Sequence, residues 1–163
     1  MPAAVADSAI LIGEHGEITL ACLPQSAGAA RRIVAAHLAR WDMDGLVDDA
    51  GVVVSELVAN AATHTGGTQI GLTVALERDR TVRIAVRDCS RSLPHRFSDS
   101  ADQEHGRGIA VIESLSTSWG VTVLPVGKVV WARLHPGRLP RRHPQAVDHC
   151  ADRVATAVEG EAG

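Results

Sequence analysis

Two segments with helical hydrophobic spacing stand side by side in this chain, and two with strand spacing follow directly. "AGAARRIVAAHLARW" places Ala30, Ile33, Val34, His37, Leu38 and Trp41 on one face, with Ser26 as the expected N-cap. After a turn at "DMDG" (42–45), a second helix is predicted from about Leu46 to His64. "TQIGLTVALE" and "TVRIAVRD" alternate with period two and are joined by "RDR", the pattern of an antiparallel hairpin. This grouping constrains the fold more than any single motif. A chain of alternating βαβα units would build a parallel, doubly wound sheet; helices in a group and strands in hairpins build an α+β fold.

The rest of the chain fits that frame. "EITLACL" (17–23) is a strand ended by Pro24, and "GIAVIESLSTS" is a short helix. "WGVTVL" and "VVWARL" are strands paired across "PVGK". The predicted order is β-α-α-β-β-(long loop)-α-β-β. The predicted architecture is a two-layer α/β sandwich with a mixed, mostly antiparallel sheet and its helices on one face. Residues 1–12 are expected to be a mobile extension, 13–135 the domain, and 136–163 a Pro/Arg-containing tail, disordered or at most one short helix. A compact domain rarely holds a polar loop as long as 89–108, which reads as functional.

Bulk composition narrows the function classes. The 163 residues suffice for one domain with a proper core. Aromatics are only 2%, so the core is expected to be aliphatic. A net charge of −3 with mixed signs gives no electrostatic reason to expect nucleic acid or a membrane surface as partner. Cys22, Cys89 and Cys150 are widely spaced, which speaks against a disulfide framework and a zinc site. The absence of a signal-like N-terminus and of a long apolar run makes a cytoplasmic location the expectation.

Three clusters can carry chemistry. On the second helix Glu56, Asn60 and His64 recur every four residues and share a face amid valine, alanine and leucine. Asp88 ends an otherwise apolar strand. "HGRGI" (105–109) turns the long loop into a helix. Singly, each has a plain structural reading: a polar stripe, a strand-end turn, a flexible junction. Together they suit a nucleoside triphosphate. A helix N-terminus preceded by glycines offers free N–H groups and a positive dipole end to phosphate, and Arg107 between those glycines adds a planar cation. An asparagine can give Mg²⁺ one oxygen. A carboxylate can serve as base toward water or a hydroxyl, and a lone Asp can accept from adenine's amine.

In order and spacing these segments resemble the GHKL (Bergerat-fold) superfamily of ATP-binding domains, over roughly residues 15–135. "SELVANAATH" is similar to the N-box, "VRDCSRSLP" to the first glycine box, "HGRGIAVIESLSTSWGV" to the second, and "GKVVWARL" to the closing strand. The nearest branch in pattern is that of the anti-sigma-factor serine kinases of actinobacterial type. The resemblance implies ATP and Mg²⁺ as cofactors. It implies Asn60 as the Mg²⁺ ligand, Glu56 as general base, Asp88 as reader of the adenine amine, and Gly106, Arg107 and Gly108 around the phosphates. His64 falls at the N-box histidine, for packing or lid contact as much as for catalysis.

The activity so implied is a regulatory serine/threonine protein kinase acting on a small antagonist protein. Its client would be a sigma factor or similar transcription regulator, and homodimerisation is left open. Three positions depart from the family pattern. Ser90 and Ser92 stand where the first glycine box has glycines, and Val129 where the closing strand often has threonine. They favour the alternative, a non-catalytic protein-interaction module with weak or vestigial nucleotide binding. A histidine-kinase catalytic fragment is a third reading, disfavoured because no phosphoacceptor helix pair precedes the domain.

Overall fold

The computed structural model describes residues 16–64, 66–90, 106–137 and 146–149. The strands are β1 (Ile18–Ala21), β2 (Gln69–Leu76), β3 (Val82–Asp88), β4 (Ser118–Val123), β5 (Lys128–Leu134) and β6 (Ala146–His149). The helices are α1 (Ser26–Arg40), α2 (Val47–His64) and α3 (Gly106–Leu115), with one 3₁₀ turn at Asp44–Leu46. The sheet order is β1-β2-β3-β5-β4-β6. All pairings are antiparallel except β4 with β6, which is parallel. This is the mixed, mostly antiparallel α+β fold that the grouped periodicities predict.

Strand alternation sorts side chains to two faces. Ile70, Leu72, Val74, Val82, Ile84, Val86, Val121, Val130 and Ala132 meet the helices in one buried cluster. Helix α1 contributes Ala30, Val34 and Leu38; α2 contributes Val53, Val54, Leu57, Val58 and Ala61; α3 contributes Ile109 and Ile112. The core is aliphatic, with Trp119 its aromatic member. On the other face Trp131 packs with Ala85 and Val129, and the guanidinium groups of Arg133 and Arg83 lie 4.8 and 5.3 Å from its ring centre. Arg133 also donates to Glu77.

Two expectations are corrected. Ser26 is not the N-cap of α1 but its first residue; Gln25 precedes it without a side-chain cap. Backbone bonds explain why none is needed. The N–H groups of Ser26, Ala27 and Gly28 donate to the carbonyls of Leu23, Pro24 and Gln25, tightening the first turn. The region after residue 135 is not only a tail with at most a helix, because 146–149 forms a strand. It takes up the edge of β4 that β5 leaves unpaired. The extension at 1–12 and the rest of the tail beyond 137 lie outside the described residues.

One outer-face ion pair ties β1 to β3 across β2. Arg87 Nε donates to Glu17 Oε2 at 2.7 Å, and Nη2 donates to Oε1. Gly71 makes room for it; a Cβ there would stand 2.1 Å from Glu17 Cδ. The hydrogen bonds from Arg87 hold the Glu17 carboxyl below its usual range, against the opposing effect of partial burial. A carboxyl lowered in the folded state adds stability above its unfolded pKa, and that stability is lost as pH falls through the folded value. Glu17→Gln should therefore lower the stability at neutral pH by about 1 kcal/mol or less for so exposed a pair, seen as a slightly lower melting temperature. The difference should vanish in melts run well below the carboxylate range. A difference that persists there would belong to packing over Gly71.

Candidate functional site

Helix α2 carries Glu56 and Asn60 one turn apart, both half-buried. The rotation of α2 is set by its buried flank, Val53, Val54, Leu57, Val58 and Ala61. It is also tied to α1, where Arg31 donates to Ser55 Oγ at 2.9 Å. Helix α3 packs on α2 through Ile109 and Ile112. The result is a specific meeting: a Cβ added to Gly108 would lie 2.6 Å from Glu56 Oε2. The carboxylate thus rests against the bare α-carbon of the second glycine of "GRG".

The helix starts earlier than its apolar pattern suggests. "GIAVIESLSTS" points to a start at Gly108, whereas α3 begins at Gly106. Gly106, Arg107 and Gly108 therefore form the first turn itself, whose N–H groups have no partner within the helix. Arg107 is exposed. At the other end, Ser116 donates from both its N–H and its hydroxyl to the carbonyl of Ile112. Glu56 has no ion-pair partner among the described residues.

This packing makes Gly108→Ala informative. The added methyl must push the Glu56 carboxylate aside, and a shift of about 1 Å at a reacting group costs on the order of 10²-fold in rate. ATP turnover should fall by about that factor while the melting temperature changes little. Unchanged turnover would separate Gly108 from the chemistry.

Asp88 ends β3, as expected, but its surroundings are not those expected. Lys128 stands directly across from it on β5. Lys128 Nζ lies 3.0 Å from Asp88 Oδ1 and 3.0 Å from Oδ2. The lysine and aspartate side chains are only 4% and 1% exposed. The N–H of Ser90 donates to Oδ1 at 2.8 Å. Gly127, at φ +83°, lets the β4–β5 turn come this close; a Cβ there would collide with the Asp88 carbonyl oxygen.

The departures noted in the sequence change meaning here. Ser90 is not forced into the left-handed region; the described non-glycine residues found there are Asp42 and Arg80. Instead, its N–H closes an Asx-type turn on Asp88. Val129 faces the outer side of the sheet with Ala85 and Trp131, so it is not the residue that meets Asp88. Ser92, the His64 side chain and the loop over 91–105 lie outside the described residues. Sequence reasoning missed Lys128. The signal was available: strand alternation puts the residue after Gly127, not the next one, on the face of Asp88.

Among the described residues no three His, Cys, Asp or Glu side chains cluster to hold a metal. Any Mg²⁺ would rely on Asn60 and phosphate oxygens, a donor set Mg²⁺ accepts because it keeps most of its waters. No helix among the described residues is long and apolar enough to cross a membrane.

The family model for the Histidine kinase-like ATPase domain matches residues 20–134. The chain belongs to this family. Its matched region runs from β1 to the end of β5, and takes in Glu56, Asn60, Asp88 and the "GRG" turn. No curated protein matches the chain. Among solved structures, it is similar to the histidine kinase domain of the blue-light activated histidine kinase from Erythrobacter litoralis EL346. The identity is 17% and the TM-score 0.44, over 71% of this chain and 61% of that one. The chain thus spans less than two thirds of the length of that structure.

Proposed function

We propose that this Histidine kinase-like ATPase domain binds Mg·ATP and acts as a regulatory serine/threonine protein kinase of the anti-sigma-factor type. Its acceptor would be a small antagonist protein and its client a sigma factor or similar regulator. The observation that carries the reading is the contact of Glu56 with Gly108. A candidate base and a candidate phosphate-binding turn meet there, from segments some fifty residues apart.

When bound, ATP supplies the phosphoryl group. The first-turn N–H groups of α3 and the Arg107 guanidinium hold its phosphates. Asn60 offers one oxygen to Mg²⁺, and Asp88 stands at the base end. Glu56 takes the proton from the attacking hydroxyl as the phosphorus–oxygen bond forms and ADP departs. Fold alone does not fix an activity, so the assignment stands on these residues.

Calorimetric titration with ATP, with and without Mg²⁺, tests the site. Parent protein should bind with Mg²⁺ dependence, and Asn60→Ala should lose that dependence. Absence of binding at millimolar Mg·ATP would favour the second reading, a protein-interaction module with vestigial nucleotide binding. The engagement of Asp88 by Lys128 is what recommends that alternative.

A further inference from the structure

Lys128 is the only lysine in the chain. It opens β5 opposite the last residue of β3, and it is buried on the helix-facing side of the sheet. A lysine has three donors and no acceptor. Here they are directed to Asp88 Oδ1, Asp88 Oδ2 and, at 3.4 Å, the carbonyl of Ser90. Oδ1 also accepts the Ser90 N–H. The acceptor that an adenine amine would seek is therefore already engaged, by a nitrogen donor like that amine.

We propose that Lys128 is the specificity-determining residue at the base end of the nucleotide site, removing its preference for a 6-amino over a 6-oxo purine. The inference rests on the nucleotide reading above. A free buried carboxylate would accept from the 6-amino group of adenine and would repel the O6 of guanine. Sites built around such a hydrogen bond reject the wrong partner by about 10⁴–10⁵. With Lys128 in place its three N–H groups are taken up by Asp88 and Ser90 and the carboxylate is neutralised, so a 6-amino group finds no free acceptor and a 6-oxo group meets no unpaired negative charge. The remaining difference is that of one ordinary hydrogen bond, about tenfold at most. Affinity then comes mainly from the phosphate end.

The test is calorimetric titration of the full chain with Mg·ATP and Mg·GTP, for the parent and for Lys128→Thr. The parent should bind both within about tenfold of each other. Lys128→Thr, which frees the Asp88 carboxylate, should raise the preference for ATP to about a hundredfold or more. A parent preference for ATP above tenfold overturns the assignment, and that arm does not depend on the variant folding. A folded variant with an unchanged ratio also overturns it, leaving the nucleotide site itself intact. Failure of both proteins to bind either nucleotide overturns the nucleotide reading and this inference with it.

Discussion

Glu56→Gln is expected to lower the rate of ADP formation from Mg·ATP by about 10²–10⁴, the usual contribution of a positioned general base. Nucleotide affinity should stay within about threefold of the parent, because the amide keeps the size of the carboxylate and only proton acceptance is lost. Water can stand in for the protein hydroxyl in this assay, so the partner need not be known. The geometry favours a large effect. Glu56 is half-buried, has no ion-pair partner among the described residues, and lies against Gly108 in the first turn of α3. A carboxylate kept only as part of a polar helix stripe would behave differently. Its amide would leave turnover unchanged and alter only the melting temperature. Comparison with Gly108→Ala sharpens the result. That variant keeps the carboxylate and displaces it, so both should lose turnover for one reason, the absence of a base at the reacting hydroxyl.

Much of this architecture was legible because burial on one face imposes a period. β2 and β3 carry their large apolar residues with period two, and α1 and α2 show a 3.6-residue stripe; each forms within a residue or two of its predicted bounds. Glu56 and Asn60 stood out for the same reason, as polar residues interrupting an apolar helix. What was not legible depended on partners distant in the chain. β6 is four residues long and follows a proline- and arginine-rich stretch; only the unpaired edge of β4 makes it a strand. The first turn of α3 was hidden because glycines carry no hydrophobic signal. Val129 holds the place where the family pattern often has threonine, yet the register Asp88↔Lys128 and Arg87↔Val129 sends it to the face opposite Asp88. Alternation along "GKVVWARL" carries the signal that Lys128, and not Val129, shares the inner face with Val130 and Ala132; the pairing with β3 then sets it across from Asp88.

The second large effect concerns stability, and it too turns on Lys128. Lys128→Ala should destabilise the fold by about 3–5 kcal/mol, because it strands a buried carboxylate. Set against the roughly 5–15 kcal/mol that holds a typical domain together, this is a substantial part of the total. The Ser90 N–H still reaches Asp88 Oδ1, but one neutral donor does not replace an ammonium in contact with both oxygens. The double change Asp88→Asn with Lys128→Met separates charge from packing. Asparagine keeps the oxygen that accepts the Ser90 N–H, and methionine fills the volume of the lysine stem. Exchanging a buried pair for neutral groups of similar size is often close to neutral, so the double variant should recover most of the loss in denaturant unfolding. A single variant that loses less than about 1 kcal/mol would mean that water reaches Asp88 and screens it as at a surface. A double variant as unstable as the single one would mean that the ion pair itself, and not only the cost of a stranded charge, holds the β3–β5 junction.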